Sequence, residues 1–465
     1  MSSEDNRIYF NGVNAQTGGY LTLPVAPEEI VARARAEFKQ TSQSEREFTR
    51  TLNDKKTQPH LGFDANLQDL KQARWGVVFA ADEDPAVKRA LAPLIEHRAQ
   101  QLGFTPKVFT VKPDDRAVDF LSNNDVSSGE GEVKKVPYYL LLVGQPTKIS
   151  FRLQFELDAE YAVGRIAFDS ADGYRAYVER LLDYETANAV PTRKQAVFWA
   201  TANEDDRATL LSSRVLAKPL HDGLDAELGF NKQLFIGDKA TKTNLVSQFT
   251  QAQPPALVFT TSHGLGFSQQ DPQQYELQGA LVTQEWLPDT PITSKQIFSA
   301  RDVSSAANVH GLVHFAFACF GAGTPTHDDY AHGEGIVAPI IADKPFVANL
   351  PCQLLARGAL AFIGHVERAH GYSFIRPNDQ PKMVGFTRAL SYLLRGVPIG
   401  HALRDLHDHG VQLSHQLIEA LTQIDYGRVY EPKEIAEQWR ERNDARAHIL
   451  IGDPGARLRV ADMTT

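Results

Sequence analysis

The stretch His310–Pro325, HGLVHFAFACFGAGTP, decides the reading of the fold. An apolar run, Val313–Ala318, leads directly into Cys319, and a loop of small residues, Gly321-Ala322-Gly323, follows. A short apolar run closed by glycines reads as a buried strand that stops at a sheet edge. Ligands of an open parallel α/β sheet sit beyond the carboxyl ends of its strands, so a cysteine there faces a cleft. Upstream, Ala256–Gly266, ALVFTTSHGLG, has the same pattern: an apolar strand, a polar tip, His263 and then Gly264. The two strands are predicted to deliver a histidine and a cysteine to one sheet edge, as nucleophilic catalysis by a thiol requires.

Working outward, a chain of 465 residues is too long for one ordinary core. Two α/β domains are expected, an N-terminal one over 1–190 and a catalytic one over 191–465. The net charge of −9 leaves no overall basic footprint, so a nucleic-acid partner is not expected. Two cysteines cannot make a disulfide framework and suit a reducing compartment. The start, MSSEDNRIYFNG, lacks a basic region followed by an apolar run, and no apolar run reaches the roughly eighteen residues of a membrane helix. The expectation is a cytoplasmic protein with no membrane partner.

Within the first domain, residues 1–27 read as irregular with short strands, and 28–54 as a charged, solvated surface helix. Trp75–Ala80 is a strand; Asp84 caps a helix with Pro85 at its first position, running to Leu102. Lys107–Val111 and Pro137–Val143 are further strands, separated by a polar, Gly- and Ser-rich flexible loop at 122–135. Gly173–Ala187 is an amphipathic helix with Tyr174, Tyr177, Val178, Leu181 and Leu182 on one face. The second series opens with the strand Gln195–Ala200, has the acidic cluster Glu204-Asp205-Asp206 just beyond it, and continues with a helix at Leu210–Ala217. Helices are predicted at Thr241–Gln251, around Thr293–Ala300, at Cys352–Arg357, and through most of 383–425 and 431–448. Gly358–Val366 is a strand.

A free thiol has a pKa of about 8.5, so a nearby imidazole is needed to take its proton at neutral pH. The amides of Gly264 and Cys319, in sharp turns at strand ends, are the candidate oxyanion donors. The His263-Gly264 and Ala318-Cys319 blocks resemble the paired His-Gly and Ala-Cys blocks of caspase-like cysteine peptidases, most nearly the gingipain-like peptidases and the bacterial CHAT domains. Tyr138–Pro146, Val163–Glu185, Ala359–Val366 and Leu450–Pro454 (LIGDP) are similar to further segments of that group, so the resemblance spans roughly 136–465. It implies a three-layer αβα fold with a mainly parallel sheet, preceded by a smaller Rossmann-like α/β subdomain. It also implies a Cys319–His263 dyad, no cofactor, a protein or peptide substrate, and a place in bacterial defence or signalling. Two departures, the absence of a visible leader and the 56 residues from His263 to Cys319, point to a regulated intracellular enzyme. Self-processing in the loop that ends Lys134-Lys135, or a regulatory partner protein, is the expected gate.

In gingipains, acids following the strand equivalent to Gln195–Ala200 line the specificity pocket and orient the histidine. Glu204, Asp205 and Asp206 are therefore candidates for the pocket, with Asp328 and Asp329 after the nucleophile as further ones. Such a pocket favours Arg, then Lys, before the scissile bond. The alternative for 204–206 is an acidic helix cap. His327, Asp328, Asp329 and His332 fit no standard zinc spacing, so no metal is expected. His365, Glu367 and Arg368 line the cleft or form a salt-bridged rim; His310 and His314 are packing residues; His407 and His409 are solvated; Cys352 is a buried small residue. The rival functions are a catalytically silent scaffold of the same fold and a thiol-dependent acyl transferase.

Overall fold

Ten strands pair side by side in a single sheet. The structure is a computed structural model that describes residues 7–8, 10–57, 63, 65–126, 131–328, 330, 339–375 and 380–464. In chain order the strands are β1 (Trp75–Ala80), β2 (Lys107–Val111), β3 (Tyr139–Val143), β4 (Ala162–Ile166), β5 (Arg193–Ala200), β6 (Asn231–Ile236), β7 (Pro255–Thr261), β8 (Val313–Phe317), β9 (Ala361–His365) and β10 (His448–Gly452). Their spatial order is β2-β1-β3-β4-β10-β9-β8-β7-β5-β6. Every pairing is parallel except that of β9 with β10. The fold is therefore α/β with a mainly parallel sheet, in the three-layer αβα arrangement expected.

Parallel sheets are covered on both faces, which is why central strands such as β1, β3 and β8 are buried throughout, while the edge strands β2 and β6 carry exposed polar residues. Along β1, Val77 and Phe79 join one buried cluster while Val78 and Ala80 join another; on β3, Leu141 and Val143 are separated in the same way from Leu140 and Leu142. The helices Pro85–Leu102 and Ala171–Thr186 pack against each other on one side. Strands from before and after residue 190 share one sheet, joined where Arg165 of β4 pairs with Ile451 of β10. At this seam Gly164 is obligatory, because a Cβ would lie 2.2 Å from the Gly452 carbonyl oxygen. Arg165 is fully buried there, and it donates to Gln154 Oε1 at 2.8 Å, the Gly144 carbonyl at 3.0 Å and the Ser150 carbonyl at 3.1 Å.

Several local expectations are corrected by tertiary packing. The stretch around Thr293–Ala300 is not one helix: it holds short 3-10 turns at Ser294–Gln296 and Ala300–Asp302, and between them Ile297–Phe298 pairs antiparallel with Leu281–Val282, a two-stranded unit outside the main sheet. Residues 28–54 form two helices, Pro27–Gln40 and Gln43–Thr57, and neither is simply solvated. Ile30, Ala34 and Phe38 are buried in a cluster that includes Ile435, Ala436 and Trp439, and Glu37 accepts from Trp439 and Arg442. A charged sequence hid a narrow apolar stripe that the C-terminal helix Pro432–Arg446 covers. His407 is buried too, its Nε2 3.1 Å from the His448 carbonyl. The helix after β5 starts earlier, at Arg207, and passes through a π-helical turn at Ser212–Ala217. Residues 127–130 of the 122–135 loop lie outside the described residues; at its end Lys135 pairs with Glu132 and donates to the Asp125 carbonyl.

The closing LIGDP segment acts as an anchor. Asp453 is buried and receives Trp75 Nε1 at 2.9 Å and Arg98 Nη2 at 2.8 Å, and Arg98 also binds Glu185 at 2.6 Å. Burial opposes the charge on Arg98, but Asp453 and Glu185 more than offset it and hold the guanidinium firmly protonated. Removing one partner of a buried, hydrogen-bonded ion network leaves an uncompensated charge. Arg98→Ala is expected to destabilise the chain by about 3–5 kcal/mol, measured by urea or guanidinium unfolding; a change within experimental error would remove this network from the anchor.

Candidate active site

Four adjacent parallel strands, β5, β7, β8 and β9, end at one edge of the sheet. β7 and β8 run in register, Thr261 beside Phe317, so His263 and Cys319 each lie two residues beyond the same pair. Their loops touch: a Cβ on Gly264 would come 1.7 Å from the Cys319 carbonyl oxygen, so only glycine permits this approach. The tip of β9 adds Glu367, Arg368 and Ala369. Phe320 and Glu367 both adopt the left-handed region, with φ of 57° and 74°, and the Phe320 amide donates to the Glu367 carbonyl at 2.5 Å. Two side-chain-bearing residues in that region hold the turn after Cys319 against the β9 loop, a local strain that surrounding contacts must outweigh.

Asp206, beyond β5, binds the histidine. Its Oδ2 lies 3.0 Å from His263 Nε2 and accepts the Thr209 amide at 2.8 Å, capping the helix Arg207–Leu211. Its Oδ1 accepts the Tyr20 hydroxyl. Burial would raise the Asp206 pKa, but the His263 charge and these hydrogen bonds hold it well below the usual carboxylate range. A permanently ionised carboxylate at Nε2 fixes the tautomer and leaves Nδ1 as the basic nitrogen. The imidazole is further fixed by edge contacts, its ring centroid 5.2 Å from that of Trp286 and 5.6 Å from that of Tyr20.

Cys319 is 2% exposed. Its sulfur accepts the Ala369 amide at 3.3 Å. Burial pushes the thiol pKa up to about 12, opposed by the Ala369 amide, the Arg368 charge and the Gly264 amide. Arg368 is itself buried and paired with Asp328 at 2.8 Å. The thiol is thus held neutral in this state, with amides of two loops already turned toward it.

Of the candidate pocket acids, Asp206 and Asp328 are buried and engaged, by His263 with Tyr20 and by Arg368 respectively. Glu204 and Asp205 are exposed beside the site. Asp329 lies outside the described residues, as does His332. Among the described residues no cluster of His, Cys, Asp and Glu is arranged to hold a metal. His314 packs beneath the site with Nε2 3.0 Å from Thr260 Oγ1, and burial lowers its pKa to about 3. Cys352 is half-buried and donates to the Ala167 carbonyl.

Residues not singled out from the sequence are Tyr20, Trp286, Ala369 and the N-terminal hairpin that carries Tyr20. Val13–Asn14 pairs in parallel with Leu265–Gly266, directly after His263-Gly264, and Tyr20 bridges back to Val13. The Gly18-Gly19 pair was the one available signal, since it marks a turn.

No protein-family profile matches the chain, and no curated protein is detectably similar to it in sequence. Similar solved structures include the Arg-specific cysteine proteinase gingipain R (RgpB), at 13% identity over 84% of this chain and 79% of that one, with a TM-score of 0.47. The complex of Porphyromonas gingivalis RgpB pro- and mature domains matches at 14% identity over 83% of this chain and 80% of that one, with a TM-score of 0.45. The Saccharomyces cerevisiae separase–securin complex matches at 11% identity over 70% of this chain and 16% of that one, with a TM-score of 0.34. Likenesses at this level leave the chemistry of the site to the geometry of this chain.

The raised thiol pKa has a direct consequence. Because the neutral form persists to high pH, alkylation of Cys319 by iodoacetamide in the folded chain should keep rising about tenfold per pH unit through about pH 10, where a free thiol of pKa about 8.5 has levelled off. Mass spectrometry of the labelled peptide checks this; a plateau at the free-thiol value would remove the burial effect.

Proposed function

We propose that the chain is a cysteine endopeptidase that uses Cys319 as nucleophile and His263 as its acid–base partner. The observation that supports this most directly is the Asp206–His263 hydrogen bond set beside Cys319 at the ends of adjacent parallel strands. His263 Nδ1 takes the thiol proton, and the thiolate sulfur bonds to the peptide carbonyl carbon. The resulting oxyanion is met by the amides of Gly264 and Cys319, a kind of donor whose loss costs about 10²–10³ in rate. The imidazolium then returns its proton to the departing amine as the C–N bond breaks. Water, deprotonated by His263, hydrolyses the thioester and frees the sulfur. Asp206 acts through His263, holding its tautomer, and is a positioning residue.

Within this reading, cleavage follows Arg, with Lys second. The exposed carboxylates Glu204 and Asp205 are the recognising groups, because Asp206 and Asp328 are already bound to His263 and Arg368. The setting is a reducing, cytoplasmic one, and activity is gated by a cut at Lys134-Lys135 or by a partner protein.

The reading is tested with a positional peptide library, on the intact chain and after limited proteolysis. Cys319→Ala should abolish hydrolysis with the fold retained, and His263→Ala should lower kcat by at least roughly a hundredfold. Cys352→Ala should leave turnover unchanged. Hydrolysis that survives Cys319→Ala would end the assignment. For specificity, Glu204→Gln with Asp205→Asn should raise KM for substrates with Arg before the scissile bond. A preference for Asp or Asn at that position would remove the two acids from the pocket and leave the dyad standing.

A further inference from the structure

The cleft in front of Cys319 is already occupied, by the chain's own N-terminus. Residues 12–21 form a tight hairpin: the Asn14 amide donates to the Gly19 carbonyl, the Leu21 amide to the Gly12 carbonyl, and Asn14 Oδ1 accepts the Gln16 and Thr17 amides in the turn. One arm lies on the strand that follows the catalytic histidine, with the Val13 amide on the Gly264 carbonyl and the Ala15 amide on the Gly266 carbonyl. Val13 is fully buried there, in a cluster with Leu265, Val282 and Trp286. The other arm puts the Tyr20 hydroxyl on Asp206 and the Tyr20 ring edge-on to His263. Gly12 passes over the thiol: its φ of 105° suits glycine, and a Cβ there would stand 3.7 Å from Cys319 Sγ. Asn11 donates to the Ala369 carbonyl at 2.8 Å, and Thr22 accepts from Arg368 at 3.0 Å.

From these contacts, made to Asp206, His263, Gly264, Cys319, Arg368 and Ala369, we infer that residues 10–22 are an autoinhibitory strap seated where an extended peptide substrate would lie. This rests on the peptidase reading for the meaning of the cleft, but the masking of the thiol does not. The strap satisfies backbone groups of the Leu265–Gly266 edge as an added strand does. A substrate whose backbone followed the same path must displace it, because an atom one bond from the Gly12 Cα would stand only 3.7 Å from the sulfur. Its hold lies outside the main sheet: Phe10 is buried against Tyr330 and His370, Val13 and Ala15 enter the cluster of Leu265 and Trp286, and the Gly18 and Ala15 carbonyls accept from Trp286 and Ile292, so the segment can open without unfolding the sheet. Activation is therefore withdrawal of the hairpin, whether a cut, at Lys134-Lys135 or nearer the hairpin, releases it or a partner takes it in place of the cleft.

The test is iodoacetamide alkylation of Cys319 in the full chain at fixed pH, with Cys352 as internal reference. Cys319 in the native chain should react at least about a hundredfold more slowly than in the urea-unfolded chain. Val13→Asp places a charge in the cluster of Leu265, Val282 and Trp286 that holds the hairpin. Gly18→Val acts at the far turn, where a Cβ would lie 1.9 Å from the Thr290 carbonyl oxygen. Each should speed Cys319 alkylation by at least about tenfold without changing Cys352, and a synthetic peptide of residues 7–26 should reverse the gain. Native Cys319 reacting within about threefold of the unfolded chain overturns the strap outright, as does a folded Gly18→Val chain that reacts at the native rate. Should Val13→Asp speed both cysteines alike, it has loosened the fold and the Gly18→Val and native-chain rates decide. Unmasked variants that alkylate fast yet hydrolyse no peptide would sink the peptidase reading and leave the strap. Equal hydrolysis by native and unmasked chains would do the reverse.

Discussion

The site depends on one constraint, the parallel register that sets Thr261 beside Phe317. Parallel strands end together, so whatever follows each by the same number of residues arrives at the same height above the sheet. His263 and Cys319 are each two residues beyond that pair. Slipping the register by one residue would turn every side chain of β8 to the opposite face, and burial on both faces resists this. The chemistry is thus positioned by strand pairing deep in the core, where it is most expensive to disturb.

Around that constraint the loops do separate work. The β5 loop supplies a carboxylate that orients the imidazole through one oxygen while its other oxygen accepts the Tyr20 hydroxyl. The β9 loop turns the Ala369 amide toward the sulfur and buries the Arg368–Asp328 pair beside it. Burial raises the thiol pKa to about 12, while a positive charge and two amides pull the other way. Water entering the cleft would weaken the first effect and leave the second in place, which shifts the sulfur toward the reactive thiolate.

Support comes from far along the chain. β10 runs antiparallel to β9 and closes the gap to the N-terminal strands, and Asp453 directly after it draws in Trp75 and Arg98. A single buried carboxylate thereby ties together a strand, a helix and the C-terminal turn. Replacing one member of such a network costs more than a surface ion pair, because the remaining charges have no water to turn to.

What the sequence by itself determined was whatever rests on local patterning. The apolar runs specified strands, and those at Trp75–Ala80 and Lys107–Val111 begin and end where read. Asp84-Pro85 specified the start of its helix, which extends to Leu102. His263 and Cys319 stood out because each follows such a run and precedes small residues. Tertiary structure alone decided the rest. Nothing in the local sequence around Tyr20 signals a bond to Asp206, since the two are brought together only when the hairpin lies on the Leu265–Gly266 edge. The highly charged stretch Pro27–Gln40 has too narrow an apolar stripe to announce burial until Trp439 covers it. The same holds for Ile297–Phe298, two residues whose strand exists only through its partner Leu281–Val282. Periodicity records what a segment does on its own; a contact between distant segments is set by the whole packed core and leaves no period to read.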